Sequence, residues 1–280
     1  MKINLFSFYS VIGALVLASS VAQAQAQRPP NTQPAPQPQQ QPVNRPPQPQ
    51  KQVIIEKVKP APPTFRVLGG YEYSLVSPSD LNDYRSRQLW NNTTASQGTF
   101  SSMNGFTVGG GMRLGSGFLG LEYTRSFQEL NNTQVTATTT FIQDTFEYES
   151  VFALYDLAFE IDDQNSFELG GGIGYALKYR YHNVLTANGV QEDVYWQDQP
   201  MAFKVRAFYN YHFTPNIIIR AGGQYEYVTS GDMTVDGNHP TVVVNGGAII
   251  NGQKLRNQDG SAVKVDMSGL RLSIGAAVAF

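Results

Sequence analysis

The sequence has no cysteine in its 280 residues. That excludes disulfides, a thiol nucleophile, a thiolate metal site and a lipid-modified cysteine. Histidine is scarce as well, and His182, His212 and His239 show no metal-ligand spacing. No Gly-x-Ser-x-Gly, His-Glu-x-x-His or phosphate-binding loop occurs, so the sequence predicts no cofactor, no metal and no enzyme. Long apolar runs are missing too. The one exception, Leu5 to Ala18, falls short of the ~20 residues that a spanning helix needs. Preceded by Lys2 and followed by Ala22-Gln23-Ala24 or Ala24-Gln25-Ala26, it reads as a secretory signal peptide over residues 1–24. A membrane protein built without helices has to be a closed barrel, because open strand edges cannot be satisfied in hydrocarbon.

Proline is nearly absent after residue 63, where only Pro78, Pro200, Pro215 and Pro240 remain. The other twelve lie in residues 25–63, interleaved with glutamine. Such a block cannot bury a core and is expected to be a disordered, polyproline-like periplasmic arm. It carries five basic residues against Glu56 alone, whereas residues 64–280 carry a net charge of −7. An acidic main domain makes nucleic acid an unsuitable partner. The arm's basic character suits peptidoglycan or a periplasmic protein.

Residues 64–280 show strict apolar alternation in segments of ten to sixteen residues, the signature of strands with one face in lipid. Eight strands are expected: about 64–75, 105–114, 118–128, 145–161, 167–182, 201–213, 217–228 and the C-terminal segment. In the fifth, Phe167, Leu169, Ile173, Tyr175, Leu177, Tyr179 and Tyr181 are expected to face outward. Short turns at 115–117, 162–166 and 214–216 alternate with long polar connections at about 76–104, 128–144, 183–200 and 229–262. That alternation predicts an all-β, eight-stranded, antiparallel up-and-down transmembrane β-barrel with both ends periplasmic and four long loops external. Aromatics are expected in two girdles. Phe65, Phe159, Phe167, Tyr211, Phe213 and Phe280 would mark the periplasmic one. Tyr71, Tyr73, Phe106, Tyr123, Tyr179, Tyr181, Tyr225 and Tyr227 would mark the external one.

The inward faces collect Arg66, Arg113, Lys178, Arg180, Lys204, Arg206, Arg220 and Arg271, and with them Glu72, Glu122, Asp156, Glu160, Glu168 and Glu226. An eight-stranded interior is barely wide enough for its own side chains, so these charges are expected to pair as a plug. The alternative is a narrow polar pathway, with inward glycines such as Gly170, Gly172, Gly174 and Gly222 leaving gaps. Arg125 interrupts the outward pattern between Tyr123 and Phe127. Either it faces the interface, where it could meet a lipopolysaccharide phosphate, or a bulge turns it inward.

The chain closes on an alternating strand in which Ser273, Gly275, Val278 and Phe280 stand in the pattern polar-x-Gly-x-x-apolar-x-aromatic. This resembles the insertion signal read by the barrel-assembly machinery. Together the strands, turns and Phe280 resemble the small bacterial outer-membrane barrels of the OmpA/OmpX/OmpW kind over about residues 64–280. The resemblance implies a Gram-negative outer membrane with lipid and lipopolysaccharide as surroundings, and no catalytic residue transfers. Three roles follow as expectations. The first is a structural or surface-interaction protein serving envelope integrity, adhesion or defence. The second is a narrow pore or small-hydrophobe transporter. The third is a lipid-modifying barrel enzyme whose Ser, His and Asp converge from distant positions.

Overall fold

The computed structural model describes residues 63–86, 98–135, 139–187, 189–244, 247–257 and 259–280. The expected signal peptide and Pro/Gln-rich arm lie outside the described residues. The elements in order are β1 (Phe65–Val76), α1 (Ser79–Tyr84), β2 (Ser102–Leu114), β3 (Gly117–Val135), β4 (Thr139–Glu160), β5 (Asn165–Ala187), β6 (Val190–Asp198), β7 (Met201–His212) and β8 (Ile217–Ser230). Four short strands follow, β9 (Thr234–Asp236), β10 (His239–Val244), β11 (Gly247–Ile249) and β12 (Val265–Asp266), before β13 (Gly269–Ala279).

Each long strand pairs antiparallel with its sequence neighbour, and β13 returns to β1, with Arg66 opposite Ala279 and Val76 opposite Gly269. β7 lies between β5 and β8, and β8 pairs β13. The result is a closed eight-stranded antiparallel barrel with no open edge at the level of the belt. Its three tight turns fall where the sequence predicts them. Asp162 closes one by accepting from the backbone N–H groups of Gln164 and Asn165, both at 2.8 Å. Gly115, at φ +63°, closes another in the left-handed region open to glycine.

Alternation then sorts the side chains. Phe65, Val67, Tyr71, Leu121, Ile173, Phe203, Val205, Ile219 and Ile274 are exposed on the outer surface, whereas the intervening residues are buried or half-buried. An apolar exterior around a charged interior is the reverse of a soluble barrel and suits a lipid surround.

The pattern changes parity once. Glu149 pairs with Lys178 but Ser150 pairs with Ala176, which leaves Leu177 as an extra, bulged residue in β5. Before the bulge the even positions face inward, and after it the odd ones do. Tyr179 and Tyr181 are therefore fully buried, not outer-girdle residues as expected. Lys178 and Arg180 turn to the outside instead of lining the lumen.

The connections at one end are also more structured than the sequence suggests. Here β3, β4 and β5 continue well past the belt, and β6 and β9 extend the same sheet as a tall wall. What read as polar loops supplies apolar side chains to this wall. Leu81, Tyr84 and Phe100 from the first connection are buried there, with Met233, Val235, Leu255, Val263, Val265 and Met267 from the last. They pack with Phe146, Tyr181, Leu185, Val194 and Trp196 into a second core, a cap over the barrel mouth.

Candidate functional site

The lumen is occupied by one continuous chain of ion pairs. Starting near the turn end, Arg220 meets Glu168 at 3.3 Å, and Glu168 also pairs Arg66. Arg66 reaches Asp156 at 3.4 Å, which accepts from Arg206 at 2.5 and 2.7 Å. Arg206 then donates to Glu122 at 2.5 Å, Lys204 to the same carboxylate at 2.9 Å, and Lys204 lies 3.4 Å from Glu226. Arg271 completes the series at 3.1 Å from Glu226. Charge alternates at every step, and all nine side chains are buried. Glu72, the remaining inward carboxylate at this level, accepts from Gln224 at 2.6 Å. A row of this kind needs every member. A buried pair contributes little net stability, but removing one partner strands the other charge.

Aromatic rings finish the filling. Lys204 lies 4.1 Å below the Phe152 ring and Arg220 3.9 Å from that of Phe208. Tyr148 donates to Glu226 and stands beside Arg271 and Tyr179. Two of the inward glycines give their space to large rings of neighbouring strands. A Cβ on Gly174 would come within 2.5 Å of the Phe152 ring, and one on Gly222 within 2.6 Å of Phe208. These positions are where neighbouring strands seat their large side chains. The void among Arg66, Phe118, Glu122, Asp156 and Arg206 is only about 10 Å³, at the lower limit for a single water.

Ten of the fourteen charges expected in the lumen are thus brought together. Four are not. Lys178 and Arg180 are outside because of the bulge. Arg113, half-buried, lies 5.9 Å from the Phe118 ring, and Glu160 is exposed at the turn end of β4; neither belongs to the chain.

Arg125 faces outward, half exposed, in a regular stretch of β3, so the alternative of a bulge turning it inward is not realised. Of the C-terminal residues, Ser273 and Gly275 are partly buried towards the lumen. Val278 and Phe280 face out, with Phe280 exposed beside Phe65.

The cap is fastened to the wall by a polar knot that the sequence gives no sign of. Arg85, just after α1, donates to Asp144 from Nε at 2.9 Å and Nη2 at 2.6 Å, and to the Gly98 carbonyl at 2.9 Å. Tyr181 and Asn183 donate to the other oxygen of Asp144. Burial, with the Asp144 charge adding to it, pushes the Tyr84 phenol well above its ordinary range. A second tie joins β6 to β10. Glu192 accepts from Thr241 and lies 3.1 Å from His239, and these bonds hold its carboxyl below the usual range.

Hydrolase chemistry has one structural candidate. Ser166 Oγ lies 2.9 Å from His212 Nε2 at the turn end. Ser166 is buried, and among the described residues no carboxylate bonds the other His212 ring nitrogen. Among the described residues this base thus has no orienting partner of the kind that activates such a nucleophile.

A closed eight-stranded antiparallel barrel, apolar outside and ion-paired inside, is the fold of the outer-membrane β-barrels. No family model and no curated protein matches the chain. Solved structures do. Neisserial surface protein A is 17% identical with a TM-score of 0.39, over 77% of this chain and 97% of that one. Ail, the attachment invasion locus protein of Yersinia pestis, in complex with the heparin analogue sucrose octasulfate, is 14% identical at 0.40, covering 79% and 100%. OprG from Pseudomonas aeruginosa is 10% identical at 0.45, covering 78% and 96%.

Proposed function

We infer that this is a non-enzymatic outer-membrane barrel that does not conduct, and that it serves the cell surface through its capped end. The observation that carries this reading is the unbroken ion-pair chain from Arg220 to Arg271. It fills the lumen, and the aromatic layer of Phe146, Tyr148 and Tyr179 lies above it. In this reading the three tight turns and both barrel ends are periplasmic, and the cap and tall wall stand outside the cell. The Pro/Gln-rich arm would hang in the periplasm, where its basic side chains suit peptidoglycan or a periplasmic protein. The barrel-assembly machinery would insert the chain through its C-terminal strand.

A route for small hydrophobic molecules would need an apolar pocket joining the external rim to the barrel wall. One apolar groove, about 530 Å³, lies at the opposite end between Phe65, Met112, Leu119 and Phe280, on the lipid side.

Single-channel recording of the refolded chain in a planar bilayer tests the reading. Silence from a barrel shown to be folded by its heat-modifiable gel mobility is the expected result. Steady, salt-dependent openings would overturn it and put a polar pathway in its place.

A further inference from the structure

Outward-facing charge is distributed very unevenly around this barrel. Among the described residues, the outer faces of β1, β2, β7, β8 and β13 carry none. At the level of the upper edge of the apolar belt it stands on β3, β4 and β5, in two rows, with Glu129 of β3 and Asp193 of β6 further out along the wall. In the first row Arg125 faces Glu149, and Glu149 faces Lys178. Arg125 Nε is 3.4 Å from Glu149, and Lys178 Nζ is 2.6 Å from Glu147 and 3.9 Å from Glu149. In the next row Arg180 reaches Gln197 at 3.4 Å and lies 5.0 Å from the Tyr195 ring, and its Nε has no hydrogen-bond partner.

Two features make this more than a solvated charge cluster. The bulge at Leu177 is what turns Lys178 and Arg180 outward, and it places Lys178 on the row of Arg125 and Arg180 on the next. Bulges re-aim side chains in this way. The rows are also level with the girdle. Arg125 pairs in register with the outward Phe106, which pairs with Tyr71, and Tyr123 next to it donates to Glu149 at 3.0 Å. A barrel seated by these aromatic rings holds Arg125, Lys178 and Arg180 at headgroup depth, where cations meet phosphate.

We propose that Arg125, Lys178 and Arg180 form a phosphate-binding site for a lipid headgroup of the surrounding leaflet. Within these two rows three cations stand against two carboxylates, which leaves one positive charge for a phosphate at that depth. Glu147 and Glu149 hold the long basic side chains in place, which lowers the ordering cost of binding. The guanidinium forks and the ammonium offer charge-assisted hydrogen bonds, which are stronger than neutral ones. The site rests on the membrane-barrel reading above, and adds to it a fixed lipid on one side of the barrel.

The test is native mass spectrometry of the full chain, refolded in detergent with one added lipid at a time: bis-phosphorylated lipid A, its dephosphorylated form, phosphatidylglycerol or phosphatidylcholine. The expected result is retention of the phosphate-monoester or anionic lipids, reduced about tenfold in R125Q/K178Q/R180Q, in line with losing charge-assisted bonds. K254Q/R256Q, which neutralises two exposed cations of the cap, should retain lipid as the unaltered chain does. The milder R125K/R180K should keep most of the binding. Preference for bis-phosphorylated lipid A would identify a lipopolysaccharide-type headgroup, and equal retention of phosphatidylglycerol a general phosphate site.

Undiminished retention by the folded triple variant would overturn the site while leaving the membrane barrel intact. A chain that gives no heat-modifiable band and does not enter bilayers would instead sink the membrane reading.

Discussion

Phe280 stacks on Phe65 where the last strand meets the first, with ring centroids 6.3 Å apart and planes inclined by 27°. The two residues also exchange backbone hydrogen bonds of 2.8 and 2.9 Å, so the final residue closes the seam at the turn end. Two effects of F280D can therefore be separated. The ring contact is worth about 1 kcal/mol, and a carboxylate near an interface costs little more. Urea titration of the refolded variant should show a loss of only that order. Assembly in cells should fall much further, seen as loss of the heat-modifiable band, if the same residue is read during insertion. Equal, small losses in both assays would remove the insertion-signal role.

Glu122 takes Lys204 and Arg206 on its two oxygens in the middle of the lumen. Substituting E122Q leaves an excess of buried positive charge, a change that costs about 3–5 kcal/mol. The expected result is a marked fall in the urea midpoint at neutral pH. A stability unchanged within error would mean that water enters the lumen freely, against the plug.

The Leu177 bulge invites an insertion. Deleting Leu177 would remove the bulge and keep the facing of the residues after it. Adding one residue between Leu177 and Lys178 instead reverses the parity, which would send Lys178 and Arg180 inward and expel Tyr179 and Tyr181 from the cap core. Stability of the cap should fall by more than about 3 kcal/mol, the scale of losing a buried aromatic. Protease should then cut within 231–268 while the barrel below stays intact. Resistance equal to that of the parent would show that the strand takes up the added residue in its bulge.

Arg85 and Asp144 hold the first connection against the wall, buried and in direct contact. Either R85M or D144L alone should free that connection, at a cost of about 3–5 kcal/mol, whereas the double substitution should recover much of the loss. Hydrogen exchange of 79–84 reports it. Additive single effects would mean that the pair is not coupled.

Glu192 gives the cap a pH dependence. The carboxyl is held below its ordinary range by its bonds from Thr241 and His239, so the folded state favours the ionised form. That contribution is complete above the unfolded value of about 4.3 and is lost as pH falls through the lower folded value. Limited proteolysis around 239–242 should increase below about pH 4 in the parent. It should be independent of pH over that window in E192Q.

The barrel was legible in the sequence because each strand buries one face, and period-two alternation in Phe65–Leu75 or Phe167–Tyr175 reports that directly. The inward charges were legible for the same reason. Their order of pairing was not, since Arg66 meets Glu168 only through the closure of distant strands. Nor was the parity change, because a bulge adds one residue without altering composition: Leu177 looks like any outward leucine. The cap left a signal that the polar loop around it obscured, the alternation of Val263, Val265 and Met267. The Arg85–Asp144 contact left none, being a long-range pair with no local periodicity.

The tall wall has a consequence for neighbours in the membrane. From Ala176 to Ala187, β5 runs on for about 35–40 Å of strand at ~3.3 Å per residue, while β1 stops at Val76 and β2 begins at Ser102. The barrel therefore has a high flank and a low flank. A lipid layer or adjacent protein approaching from one side meets a parapet, and from the other a sill. Rotation about the membrane normal is then not neutral: crowding selects which flank faces which neighbour.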